Sequence, residues 1–290
     1  MSWVQILVSG LALGSLYGLL ALGYHATYTV SNTVNFSQGA SMMLGAVLLY
    51  TIDVTWQLGT AAGIVLTLAA CAVFGLVLER FAVRPFTREG SIAWLLSTIA
   101  VGIILENVVM LTFGKEARRY PSKLADEPWQ IFGAGVYPIE IIIPAVGALA
   151  ALMLYLVRTR TVHGKAMLAV AQNSDAAALM GIDVPGVIAV SYMLSTVLAA
   201  IAGIVIAPQL PIAAGMGTIF GLKAFAVAII GGITSAWGVM IAGVLYGVVE
   251  SYITAQFGSA FREGLGFALV IVALALMPNG LFGRALVYKV

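Results

Sequence analysis

Apolar residues along this chain come in long unbroken blocks rather than in the ten-residue alternating segments of a transmembrane barrel. Seven blocks are clear: Trp3 to Tyr28, Trp56 to Leu78, Ile92 to Phe113, Pro138 to Val157, Val187 to Ala207, Trp237 to Thr254 and Gly264 to Met277. Most reach the roughly 20 residues that a helix needs to cross about 30 Å of hydrocarbon. Two more, Phe36 to Ile52 and Ile219 to Ile233, are shorter and studded with glycine and polar residues. Each of these is either a span or a re-entrant, broken helix. Because unsatisfied backbone groups are costly in lipid, the pattern predicts an all-α fold, a polytopic integral membrane helical bundle of about 8–9 membrane segments including two short or broken ones.

Composition supports that reading. Of 290 residues, 61% are apolar and 9% charged, and the mean hydropathy is +1.05, whereas a soluble domain carries about a quarter charged residues. The net charge of +2 is small and scattered, which sets nucleic acid aside as a partner. The single cysteine, Cys71, sits within an apolar block, where it reads as a small buried hydrophobe. No Lys or Arg precedes the first block, so that block lacks the basic region of a cleavable signal and is expected to stay as a membrane helix. Residues 1–290 are read as a single transmembrane domain with a cytoplasmic connector at about 158–186.

Short loops rich in Lys and Arg favour the cytoplasm. Arg80, Arg84 and Arg88 form one such group, Arg158, Arg160 and Lys165 a second, and Arg284 and Lys289 a third. If both short segments cross, all three groups fall on one side, with nine crossings, the N-terminus outside and the C-terminus inside. If either only dips in, the count and the N-terminal side change. Lys115, Arg118, Arg119 and Lys123 are an exception to the charge bias on the nine-crossing scheme, with Glu116, Asp126, Glu127 and Glu140 nearby.

Gly10, Gly14 and Gly18 recur at a spacing of four, as do Gly243 and Gly247, which lets helix backbones approach closely. A stretch in the first short segment, "NFSQGASMMLGAVLLY" from Asn35, also resembles one that starts at the end of the second, "GITSAWGVMIAGVLYG" from Gly232. Paired, glycine-interrupted segments point to a transporter's midplane site, so Gly231, Gly232 and Ser235 are candidates for the substrate path.

The densest polar group in an apolar setting is Ser31, Asn32, Asn35, Ser37 and Gln38. Neutral amides and hydroxyls can exchange hydrogen bonds with a passing solute without burying a charge, so Asn32, Asn35, Ser37 and Gln38 are path candidates. The plain alternative is a loop at the membrane surface that caps the next helix. Three charges lie inside apolar segments. Glu250 is read as sitting near a helix end and Lys223 as snorkelling to the interface, while Glu106 is deeper and is either a structural hydrogen-bonding group or a lining residue of the path.

No phosphate-binding G-x-x-x-x-G-K-[ST] loop and no H-E-x-x-H helix occurs. Only His25, His163 and Cys71 could supply imidazole or thiolate to a metal, so no metal site is expected. The most informative segment is "TRTVHGKAMLAVAQNSDAAALMGIDVP" from Thr159. Lys165 to Met180 has helical spacing, Ser174 and Asp175 can start a second short helix, and Gly181 can end it. Two Ala-rich helices outside the membrane would make a knob that docks in a partner's groove; the alternative is a connector lying on the membrane surface.

At this point the chain resembles the LivH-type permeases of branched-chain amino acid ABC importers over nearly its whole length. The resemblance rests on "GLALGSLYGLLALGY" from Gly10 with "NFSQGASMMLGA" from Asn35, "GKAMLAVAQNSDAAALMGI" from Gly164, "LKAFAVAIIGGITSAWGVMIAGVLYGVVE" from Leu222 and "PNGLFG" from Pro278. It implies a permease of the bacterial inner membrane that pairs with a second, homologous permease, two cytoplasmic ATPase subunits and a periplasmic solute-binding protein. ATP and Mg would then be held by the ATPases, with no cofactor and no catalysis in this chain. Gly164, Ala166, Leu168, Ala169, Asp175, Ala177 and Gly181 would belong to the coupling element. Leu168 stands where many relatives have arginine, and "NFSQG" replaces an "NFAHG"-like stretch, so the solute stays open among amino acids, amides and urea. Two other classes compete: a stand-alone secondary transporter or channel, which calls for intramembrane acids arranged for ion coupling, and a membrane enzyme, which calls for a convergent catalytic set.

Overall fold

The apolar blocks fold as helices, the form that satisfies backbone groups within one segment. In the computed structural model, which describes residues 3–87, 91–131, 133–276 and 280–282, the order is α1 (Trp3–Ser31), α2 (Gln38–Tyr50), α3 (Thr60–Leu78), α4 (Ala93–Thr112), β1 (Trp129–Ile131), β2 (Ala134–Val136), α5 (Pro138–Arg160), α6 (Val162–Gln172), α7 (Ser174–Leu179), α8 (Val184–Ile206), α9 (Met216–Gly231), α10 (Ala236–Phe257) and α11 (Ser259–Leu276). A π-helical turn, Thr51–Thr55, prolongs α2, and a second, Glu79–Val83, prolongs α3. Among the described residues, six helices are long and apolar enough to cross a membrane: α1, α3 with its extension, α4, α5, α8 and α10. The protein is thus a polytopic helical membrane protein. Arg88, Met277, Pro278, Arg284 and Lys289 lie outside the described residues.

One expectation is corrected. No strand was foreseen, yet β1 and β2 pair antiparallel, Trp129 opposite Val136, with Gly133 at φ 76° between them. Strands of three residues are too short for alternation to register as a pattern.

α1 occupies the centre of the bundle and is buried over most of its length. Its glycine stripe faces that of α10: a Cβ at Gly14 would lie 2.6 Å from the Gly243 carbonyl oxygen, and one at Gly247 would lie 2.2 Å from the Gly14 nitrogen. The two stripes seen in the sequence are therefore the two halves of one contact, where missing side chains let backbones touch.

Both short segments begin inside the bundle, which explains their length. Gln38, the first residue of α2, meets Ser195 midway along α8. The second residue of α9, Gly217, lies against Gly39, where an added Cβ would come within 1.9 Å of the Gly39 carbonyl oxygen. Toward the opposite faces, α3 and α4 expose Val65, Val73, Ile103, Ile104 and Leu111, an apolar surface of the kind that lipid or a membrane partner covers.

Candidate translocation and coupling sites

The turn into α2 is built from its own side chains. Asn35 Oδ1 accepts from the Ser37 amide at 3.1 Å and from Ser37 Oγ at 2.6 Å, an Asx-type turn that sets the direction of the helix. Gln38 Nε2 donates to the Ser195 carbonyl at 3.0 Å and the Leu20 carbonyl at 3.5 Å. Its Oε1 accepts from Ser195 Oγ at 2.7 Å and Asn35 Nδ2 at 3.3 Å. All of these groups are buried, so one amide pins α1, α2 and α8 together in the bundle interior rather than at its surface.

Glu106 joins the same region from the other side. It accepts a hydrogen bond from Thr218 Oγ1, one residue beyond Gly217, while the Phe36 amide donates to Thr98 Oγ1 of α4 at 3.4 Å. Asn35, Ser37, Gln38 and Glu106 thus converge around the first turns of α2 and α9. Asn32 does not join them. Its positive φ of 52° turns the chain so that it lines a separate cavity of about 470 Å³ with Glu79, Arg84 and Asn173. Gly231, Gly232 and Ser235 lie elsewhere again: Gly231 ends α9, and the turn to α10 holds Gly232, at φ 82°, and Ser235, whose Oγ accepts from the Gly238 amide at 3.1 Å.

The connector after α5 is a helical hairpin. Thr161 Oγ1 accepts from the Gly164 amide at 3.0 Å and starts α6; Asn173 Oδ1 accepts from the Ala176 amide at 2.9 Å and starts α7. Gly181, at φ 85°, ends it, because that backbone conformation suits a residue without Cβ. Gly164 is held against α5, with an added Cβ 2.0 Å from the Val157 carbonyl oxygen. Ala166 and Ala169 are half-buried, Leu168 and Asp175 exposed. Ala177 packs inward with Val30, Met167 and Val170. The outward side is carried instead by Val162, Leu179 and Met180, at 82%, 89% and 83% exposure. Sequence reasoning passed over these three, although a Leu-Met pair at the end of an Ala-rich helix is the available signal.

From the hairpin a polar chain runs into the bundle. Arg158, two residues from the end of α5, donates to His25 Nε2 of α1, and His25 Nδ1 lies 2.7 Å from the Ile233 carbonyl oxygen. A guanidinium has only donors, so Nε2 accepts and the ring proton sits on Nδ1, facing Ile233.

Lys223 does not snorkel. It is 1% exposed, with Nζ 2.7 Å from Glu250 Oε1 and 2.8 Å from Glu263 Oε2. Arg262 Nε donates to the same Glu250 oxygen at 2.5 Å. Two cations and two anions from α9, α10 and α11 thereby neutralise one another, the usual condition for charges in an apolar interior. Arg118, one of the four basic residues that depart from the charge bias on the nine-crossing scheme, has protein partners: its Nη2 donates to the Phe113 carbonyl at 2.6 Å and its guanidinium lies 4.4 Å from the Phe113 ring centroid, a cation–π contact.

Comparison with known proteins places these features in context. The family described as "Branched-chain amino acid transport system / permease component" matches residues 6–276. The high-affinity branched-chain amino acid transport system permease protein LivH of Escherichia coli (strain K12) is 32% identical over 303 residues, covering 99% of this chain and 98% of that protein. The corresponding protein BraD of Pseudomonas aeruginosa is 32% identical over 301 residues, with the same coverage of 99% and 98%. Among solved structures, PsaBC from Streptococcus pneumoniae in complex with Fab aligns with a TM-score of 0.50 at 15% identity, over 96% of this chain and 93% of that chain, a likeness of fold.

Proposed function

Given that the chain belongs to the branched-chain amino acid transport permease family, we propose that it works as one of two homologous permease subunits enclosing the path of an amino acid importer. Two ATPase subunits that hold ATP and Mg would drive it, and a periplasmic binding protein would deliver the solute. The family match over residues 6–276 carries this reading. The hairpin of α6 and α7 supports it, since Leu179 and Met180 expose apolar side chains on an element outside the spanning helices, a surface suited to a groove on a partner.

In this reading α2, α9 and α11 cross with the six longer helices, nine crossings in all, with the N-terminus outside a bacterial inner membrane. Arg80, Arg84, Arg158, Arg160 and Lys165 then share the cytoplasmic side. The path passes the first turns of α2 and α9, with Asn35, Ser37, Gln38 and Glu106 beside it, while Gly231, Gly232 and Ser235 lie at its inner end and Asn32 beside the coupling hairpin. A rigid movement of the hairpin would reach the bundle through Gly164 against α5, Arg158, His25 and the Ile233 turn. Coupling to a proton or ion gradient finds less support, because Glu106 is bonded to Thr218 and Glu250 to Lys223 and Arg262.

The test is reconstitution of the chain with its neighbouring-gene permease, ATPases and binding protein in liposomes containing ATP on the ATPase side. Labelled leucine should accumulate only with ATP and Mg. Accumulation by the permease alone, without the ATPases, would overturn the proposal.

A further inference from the structure

Near the Trp3 end of the bundle, a cavity of about 210 Å³ lies between α1, α5, α8, α9, α10 and α11. It is smaller than the roughly 300–1,000 Å³ of sites for drug-sized ligands. Its walls are hydrocarbon, from Leu13, Leu16, Ile206 and Phe220 among others, yet two opposite charges also line it. Glu140 is one. It is 7% exposed, and its oxygens accept from Ser9 Oγ at 2.6 Å and from the Tyr137 amide at 3.0 Å. Both donors are neutral, and among the described residues no cation lies within salt-bridge distance of this carboxylate. Arg262 is the other. Its Nε is committed to Glu250, but a guanidinium has five N–H donors in all.

The cavity also has an approach. Glu140, Gln209 and Leu210 line a second, larger space of about 600 Å³, together with Arg119, Asp126 and Tyr137 of the loop between α4 and α5. Glu140 therefore stands at the boundary between a polar vestibule and a mostly apolar chamber.

We propose that this chamber is a solute site within the permease, taking an α-amino acid with an aliphatic side chain: the ammonium on Glu140, the carboxylate on Arg262, and the side chain against Leu13, Leu16, Ile206 and Phe220. Both charges are needed for the assignment. A simple carboxylic acid would meet Glu140 unfavourably, a simple amine would meet Arg262 unfavourably, and a sugar would leave the hydrocarbon walls unused. The site deepens the importer reading and rests on it for the solute class; selection would then occur in the membrane subunit as well as in the binding protein.

Ser251 lines the chamber and provides the reporter. Cys71, the other thiol, is buried. The complete transporter carrying S251C, in nanodiscs, is treated with a maleimide in the presence of leucine, 4-methylpentanoate or 3-methylbutylamine. Leucine should slow labelling, and the two analogues that lack one charge should do so about tenfold more weakly. Adding E140Q should lower protection by leucine to the level of 4-methylpentanoate. Gln keeps the helix cap, since its oxygen still accepts from Tyr137 and its NH2 can donate to Ser9 Oγ, so a merely structural Glu140 predicts no change. Full protection by leucine in E140Q, or identical labelling with and without leucine in a transporter that imports leucine, overturns the site alone. A transporter that imports no amino acid overturns the importer reading and the site with it.

Discussion

A Cβ added at Gly39 would lie 2.2 Å from the carbonyl oxygen of Gly217, so α2 and α9 touch backbone to backbone where they begin. Gly39→Val should separate the two first turns and strain the Gln38 clamp beside them, costing about 1–3 kcal/mol or more. Thermal unfolding in detergent reads this as a lowered Tm. An unchanged Tm would show that the contact is looser than described.

The buried ion cluster makes a graded prediction. Glu250→Gln leaves Lys223 and Arg262 with too little negative charge and should destabilise by about 3–5 kcal/mol. Glu263→Gln should cost about 0–1 kcal/mol, because that side chain is 47% exposed. Chemical denaturation of both variants, compared side by side, checks the order.

Gln38→Leu removes the amide that satisfies Ser195 and Leu20. Each buried group left without a partner costs about 1–3 kcal/mol. Both stability and leucine uptake should fall, whereas Gln38→Glu, with the same shape and an acceptor in place of the donor, should fail on the donor side alone. Uptake in Gln38→Leu equal to the parent would remove this clamp from any role in transport.

On the hairpin, Leu179→Asp with Met180→Asp changes only outward side chains. Membrane levels should hold while copurification of the ATPases falls by about tenfold or more, the loss expected when apolar anchors leave an interface. Ala177→Asp faces Val30, Met167 and Val170 and should instead destabilise the hairpin. Copurification undiminished in the double variant would place docking elsewhere.

Much of this architecture was legible in residue spacing. The stripes Gly10-Gly14-Gly18 and Gly243-Gly247 were visible as close-packing faces, and Gly181 marked the end of the hairpin, because both effects depend on local backbone geometry. The similarity of the stretches from Asn35 and from Gly232 pointed to Gln38 and Gly232 together, but the structure puts them apart: Gln38 meets α8, and Gly232 turns the chain at the far end of α9. Asn32 was grouped with Asn35 by proximity in sequence, and its positive φ separates them. The ion cluster was hidden for a different reason. Lys223, Glu250 and Arg262 belong to three helices, and only their packing brings the charges together. In isolation Lys223 read as a residue that snorkels and Glu250 as one near a helix end, and nothing in the spacing singled out Arg262.

That packing has a consequence for biosynthesis. Lys223 is translated before its nearest counter-ion, which follows 27 residues later. A lone ammonium released into lipid is unfavourable by about 2.5–3.5 kcal/mol on the translocon scale. The pairing predicts that the insertion machinery shelters α9 until the two helices behind it emerge, so that the three leave the translocon as a unit. Ribosome-stalled chains ending before Glu250 should remain crosslinked to it.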